Sequence, residues 1–168
     1  ARTVADELTE VARACAAVTA LAPATSAAVD DVLERTRDVL EALPQEQPTF
    51  AHGDFKTDHL LVGPRSLTLL DVDKCTVADP ALDLAKFFAD LRWWLAADPA
   101  GATAAQECFL DGYGPASPAR VARARALEPL FMVKLTARRV QVHQPNWSAR
   151  TAGPIEHAQR LLRDLARA

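Results

Sequence analysis

The most informative part of the chain is residues 50–62, which read FAHGDFKTDHLLV. Asp54 is followed within five residues by three more ionisable side chains, Lys56, Asp58 and His59. The segment then ends in a short apolar run, which is typical of a β-strand. The sequence therefore places a loop dense in reactive groups directly before a predicted strand.

A second apolar run, LTLLDVD at residues 67–73, follows a Gly-Pro turn at residues 63–64. Two short apolar runs on either side of such a turn predict a β-hairpin over about residues 59–73. Both ends of a hairpin lie on the same side of it. We therefore expect Asp54, before the hairpin, and Asp71, at its end, to share a cleft.

The hairpin ends with a second acidic pair, Asp71 and Asp73. Alternate residues of a strand point to the same face, so the two carboxylates are expected to lie together. Such a pair is costly unless a cation or hydrogen-bond donors compensate it. An acidic loop is usually a solvated turn, but this second acidic pair favours a site for Mg²⁺, which prefers oxygen ligands.

The rest of the chain shows helical periodicity and helix-capping signals. The predicted helices cover residues 3–21, 26–43, 80–98, 102–111, 118–142 and 154–167. We therefore predict a single domain over residues 1–168 of the α+β class, mainly helical, with one β-hairpin that carries the site.

Composition excludes several classes of protein. A net charge of -3 gives no electrostatic case for binding nucleic acid or an anionic membrane surface. The 3 cysteines form no CxxC pair, which argues against a zinc knuckle or a disulfide framework and fits the cytoplasm. No apolar run approaches the roughly 20 residues that cross a bilayer, and no signal peptide is visible.

Three motifs together resemble the catalytic core of the aminoglycoside phosphotransferase family, which are small-molecule kinases of protein-kinase-like fold. The family pattern is HGD-x4-N, then ID-x-D, then DP-x-x-DLA. This chain has HGD at residues 52–54, LDVD at residues 70–73 and DPALDLA at residues 79–85. The match is close over residues 50–88, and the helix order elsewhere agrees loosely.

The resemblance implies a role for each matching residue. Asp54 would be the catalytic base, or the carboxylate that orients the acceptor hydroxyl, and Lys56 would lie near the transferred phosphate. Asp71, together with Asp73, would hold the metal ion. Asp83 would brace the loop from the following helix.

One position departs from the family pattern, because His59 replaces the asparagine that follows the catalytic aspartate by five residues. An imidazole ligand suits Mn²⁺ better than Mg²⁺. His59 is therefore expected either to bind the metal or only to form hydrogen bonds within the loop. His52 is expected to be a packed, hydrogen-bonded loop residue with a supporting role.

The chain contains no GxGxxG loop, no P-loop and no strand with a phosphate-pairing lysine. In the family these features belong to an N-terminal lobe that binds ATP or GTP. The resemblance thus implies that this chain is the C-terminal lobe, which carries catalysis and substrate binding, and that by itself it holds ATP poorly.

The acceptor is expected to be an aminoglycoside-like antibiotic, which would imply antibiotic resistance, or another small metabolite. A polycationic drug usually needs an acidic cleft, and the helices after residue 99 contain few acidic residues. These are Glu107, Asp111, Glu128, Glu156 and Asp164.

Two other functions compete with the kinase. One is a metal-dependent hydrolase, which would use a cluster of histidines and carboxylates. Its ligands would come from His52, Asp54, Asp58, His59 and Asp71. The other is a kinase-like binding domain without activity, which the histidine at position 59 favours.

Overall fold

The computed structural model describes residues 1–167, where the chain forms six α-helices and four short β-strands. The helices are α1 (Val4–Leu21), α2 (Pro23–Ala42), α3 (Ala81–Trp94), α4 (Pro99–Tyr113), α5 (Pro118–Arg139) and α6 (Trp147–Leu165). None of these helices combines the length and the apolar character that crossing a membrane requires. The protein is thus a mainly helical α+β structure, as predicted.

Prolines account for two of the differences between the predicted and observed helix ends, the starts of α2 and α4. α2 and α4 begin at Pro23 and Pro99, because proline at the first helical position has a suitable φ and needs no donor there. α6 begins at Trp147 and includes Pro154, where the predicted helix started. α5 continues through Pro129, so this residue does not end the helix.

The strands form two antiparallel pairs. Strands β2 (Leu60–Val62) and β3 (Leu67–Leu69) make the predicted hairpin, with Leu60 opposite Leu69. Strands β1 (Thr49–Ala51) and β4 (Thr76–Ala78) make a second sheet, which was not predicted. These strands are three residues each, too short to show an alternating pattern in the sequence.

The return strand of the hairpin is shorter than predicted. It ends at Leu69, Asp71 has a left-handed backbone with φ 58, and Val72–Lys74 form a 3₁₀ turn. The expectation that Asp71 and Asp73 project from one face of a strand is therefore wrong. Aspartate tolerates the left-handed conformation better than most residues do, which allows the chain to turn here.

The hydrophobic core lies around α5, which packs against α1, α2, α3 and α6. Phe88 of α3 and Leu127 and Leu130 of α5 are completely buried in it. Helix α3 is thereby fixed, and the opposite side of this helix can support the loop that precedes the hairpin.

Candidate active site

The site lies on residues 52–59, which we call the site loop and which connects β1 to the hairpin. The hairpin brings the chain back, because the Leu70 N–H donates to the His59 carbonyl over 2.9 Å. One potential ligand atom from each of Asp54, His59 and Asp71 therefore lies within 4.8 Å of the others. The hairpin thus brings Asp54 and Asp71 close together.

His59 faces an oxygen atom with each ring nitrogen. Its Nδ1 lies 2.9 Å from the Asp54 carbonyl, and its Nε2 lies 3.0 Å from Oδ2 of Asp71. A carbonyl can only accept, so Nδ1 carries the proton of a neutral ring and the Nε2 lone pair faces the carboxylate. A divalent cation between them, or a second ring proton, would satisfy this arrangement.

The donor set fits a divalent metal ion. Asp54 and Asp71 offer the carboxylate oxygens that Mg²⁺ prefers, whereas the imidazole of His59 favours Mn²⁺. Asp73 is not a member of this three-residue group, and its predicted part as a ligand stays a prediction.

Asp54 lies between two lysines. The Nζ atoms of Lys56 and Lys74 are each 3.3 Å from its Oδ2. Partial burial raises the pKa of the Asp54 carboxyl, but the two ammonium groups outweigh this effect and lower the pKa to about 2. The carboxylate is therefore ionised at neutral pH and can accept a hydrogen bond from a hydroxyl group.

His52 is a buried structural residue of the loop. Its Nε2 lies 2.8 Å from the Leu70 carbonyl, and its Nδ1 accepts the Asp54 N–H over 3.2 Å. These partners require the tautomer with the proton on Nε2. Both ring nitrogens are thus occupied within this part of the fold, and the supporting role of His52 stays a prediction.

Asp83, in the first turn of α3, holds the start of the site loop. Its two oxygens accept the N–H groups of His52 over 2.6 Å and of Gly53 over 2.9 Å. Gly53 has φ 82, and a Cβ atom there would lie 2.3 Å from the Lys74 carbonyl oxygen. Only glycine fits this crossing of the loop and the segment after the hairpin.

Two further residues of α3 hold the loop and were missed by the sequence reasoning. Buried Lys86 donates to the Gly53 carbonyl, and Asp90, completely buried, accepts the Thr57 N–H over 2.9 Å. Asp83, Lys86 and Asp90 follow one another at i, i+3 and i+7, which places them on one helix face. That spacing of charged residues in a mainly apolar helix was the available sequence signal.

Helix α1 supports Lys86 through the carboxylate of Glu7. The Lys86 Nζ lies 3.5 Å from this completely buried carboxylate, and Lys134 of α5 lies at the same distance. Burial lowers the pKa of Lys86 to about 8, although Glu7 acts in the opposite direction. The site loop thus depends on an ion cluster between α1, α3 and α5.

Other predicted residues lie outside the group of Asp54, His59 and Asp71. Asp58 is half exposed and pairs with Arg139 over 3.3 Å. Glu128, one of the few acids after residue 99, is buried against Arg92 and Arg125. Glu128 is therefore not available to a cationic ligand.

The two small sheets and the 3₁₀ turn that follows the hairpin leave large apolar side chains in contact with solvent. Val62 is 82% exposed and Phe50 is 73% exposed. The same is true of Leu61, Leu67 and Val72. We refer to these five residues as the exposed apolar surface of the sheets. Exposed apolar residues of this kind are typical of a surface that another domain or protein covers.

Comparison with known proteins identifies the family. A family model described as the phosphotransferase enzyme family matches residues 2–123, which include the site loop, the hairpin and α3. No curated protein and no solved structure matches the chain. The family model covers well over half of the chain and confirms the sequence resemblance, so the chain belongs to the phosphotransferase enzyme family.

Proposed function

We propose that the chain is the catalytic and acceptor-binding lobe of a cytoplasmic, ATP- or GTP-dependent phosphotransferase that acts on a hydroxyl group of a small molecule. The observation that carries this proposal is the group of Asp54, His59 and Asp71 within 4.8 Å. Asp54 and His59 lie on the site loop, which α3 holds by its backbone. Phosphoryl transfer mainly needs such fixed positions and charge neutralisation.

Asp54 accepts a hydrogen bond from the acceptor hydroxyl and orients its oxygen toward the phosphate. With a pKa of about 2, the carboxylate takes the proton only as the new oxygen–phosphorus bond forms. Lys56, whose ammonium group lies beside this carboxylate, faces the developing charge on the transferred phosphate.

Asp71 and His59 would hold Mg²⁺ or Mn²⁺, and Asp73 is proposed as a further ligand. Bound there, the ion would neutralise phosphate oxygens of the nucleotide. Leu70 and the site loop keep these ligands in place, because the Leu70 N–H is bonded to the His59 carbonyl.

The nucleotide requires a second surface. We propose that an N-terminal nucleotide-binding lobe in the same polypeptide covers the exposed apolar surface of the sheets. This explains why Val62 and Phe50 are exposed beside the site loop. Because Glu128 is neutralised by arginines, a hydroxyl-bearing metabolite fits this lobe better than a polycationic aminoglycoside.

The test is acceptor-dependent release of ADP or GDP by the whole protein, with Mg²⁺ and then Mn²⁺, over a panel of hydroxylated compounds that includes aminoglycosides. We expect turnover with at least one acceptor and its loss in Asp54→Asn, but not in Asp111→Asn, an exposed carboxylate of α4. Acceptor-dependent turnover that survives Asp54→Asn would contradict the proposal.

A metal-dependent hydrolase is the second candidate, favoured by the mixed imidazole and carboxylate ligands. The hydrolase is the weaker candidate because two of its expected ligands already have partners: both ring nitrogens of His52 are occupied, and Asp58 is paired with Arg139. Hydrolysis of phosphate esters without nucleotide would favour it. Nucleotide binding without any turnover would instead favour the inactive kinase-like domain.

A further inference from the structure

We propose that Asp90 of α3 is a positioning residue that caps the 3₁₀ turn Thr57–His59 and thereby holds His59 in the metal site. Its Oδ2 accepts both the backbone N–H of Thr57, over 2.9 Å, and the Thr57 hydroxyl. A side chain 33 residues further along the chain thus does what a neighbouring capping residue normally does.

The turn needs this partner. The first N–H groups of a helical turn have no acceptor within the turn. Lys56 precedes the turn and supplies no side-chain capping bond in the described structure. Asp90 fills this position because its carboxylate is completely buried directly against the turn.

Arg139 at the end of α5 lowers the free-energy cost of burying the charge of Asp90. Its Nη2 lies 2.8 Å from Oδ1 of Asp90 and 3.3 Å from Oδ2 of Asp58. A buried carboxylate without such a partner would be costly. Asp90 is therefore bonded on both oxygens, to α5 through one and to the site loop through the other.

The turn is only three residues long, so a shift of Thr57 moves His59 with it. The His59 N–H donates to the Lys56 carbonyl over 3.1 Å and closes the turn. The same shift would carry the His59 Nε2 atom away from Oδ2 of Asp71, which lies 3.0 Å from it. Residues behind metal ligands typically change metal affinity by about 10–100-fold when they are replaced.

The test uses Thr57→Val, which removes the hydroxyl bond, Thr57→Ser, which keeps it, and Asp90→Asn. Thr103→Val is the matched control, because its hydroxyl bonds to the Pro99 carbonyl on α4, outside the loop. The readouts are the affinity for Mn²⁺ alone, measured by electron paramagnetic resonance, and the hydrogen exchange of the amides of residues 57 and 59.

We expect Thr57→Val and Asp90→Asn to weaken Mn²⁺ binding by about 10-fold or more and to speed exchange at both amides. Thr57→Ser and Thr103→Val should behave as wild type. Wild-type exchange rates in Thr57→Val and Asp90→Asn would overturn the proposal, and so would wild-type Mn²⁺ affinity in both. If Asp90→Asn does not fold, the Thr57→Val and Thr57→Ser pair decides.

The prediction about Mn²⁺ affinity rests on the proposed function, whereas the prediction about amide hydrogen exchange does not. If the wild-type protein binds no Mn²⁺, the proposed metal site fails. The exchange rates at residues 57 and 59 then decide separately whether Asp90 caps the turn.

Discussion

The side chain of Asp54 is held in one position, because it is only 19% exposed and the ammonium groups of two lysines both contact its Oδ2. We expect Asp54→Ala to lower kcat of the whole protein by roughly 10²–10⁴, since a positioned carboxylate contributes about this much. Steady-state phosphoryl-transfer kinetics would measure the effect, and circular dichroism would show an unchanged fold. Asp111→Ala is the control, and a kcat equal to wild type in Asp54→Ala would remove Asp54 from the reaction.

The same two lysines couple Asp54 to stability. A carboxyl group whose pKa is lower in the folded than in the unfolded state contributes stability above the unfolded pKa and loses it as pH falls. For Asp54 the window runs from the ordinary value of 3.8 down to about 2. Urea unfolding from pH 7 to pH 2 should show wild type losing roughly 2 kcal/mol more than Asp54→Asn. Parallel stability curves for the two proteins would contradict this.

In the proposed metal site, His59 is the ligand expected to set the metal preference. An asparagine oxygen in its place restores an all-oxygen ligand set, which suits Mg²⁺. We expect His59→Asn to increase the ratio of Mg²⁺-supported to Mn²⁺-supported activity several-fold over wild type. Metal titrations of phosphoryl transfer would measure it, with His143→Asn, an exposed histidine, as the control. An unchanged ratio would mean that His59 is not a ligand.

At the scale of elements, α3 carries the site loop through one row of polar residues. Lys86→Met removes the donor to the Gly53 carbonyl and one of three cations beside Glu7, which keeps Arg2 and Lys134. Loss of one buried charged hydrogen-bond partner costs about 1–3 kcal/mol. Chemical denaturation should show a loss of this size in Lys86→Met and a much smaller one in Lys74→Met, whose side chain is well exposed.

A double variant measures the coupling between Glu7 and Lys86. Glu7→Gln should cost less stability in the Lys86→Met background than in wild type, where it also breaks the contact with Lys86. If the two losses simply add, Glu7 and Lys86 do not interact.

The elements differ in how far the sequence predicts them. The hairpin was predictable because local signals, two apolar runs and a Gly-Pro turn, specify it. The conformation of Asp71 was not, since a left-handed residue leaves no periodic pattern. The pairing of β1 with β4 joins segments about 27 residues apart and is decided by tertiary contacts.

At the scale of the whole molecule, the exposed apolar surface of the sheets is the feature that the described structure leaves without a covering. Val62 is 82% exposed, so Val62→Ser should change the stability of this chain by less than about 0.5 kcal/mol. In the whole protein the same variant should lower stability or nucleotide affinity measurably, because the proposed lobe packs there. Equal effects in both contexts would argue against that lobe.

The long-range supports of the site were beyond sequence reasoning. The motif placed Asp54, His59 and Asp71 together, because the hairpin between them is local. The supports from Glu7 and Arg139 depend on how α1 and α5 pack in three dimensions, and neither residue belongs to a motif.

The bond between Asp90 and Arg139 also fixes an order of events during synthesis. The site loop emerges from the ribosome about 80 residues before Arg139 does. Until α5 has followed, the carboxylate of Asp90 has no cation to pair with, and the ion cluster under Lys86 lacks Lys134. A nascent chain that ends before Pro118 can therefore contain every motif of the site and still not hold the loop in its final position.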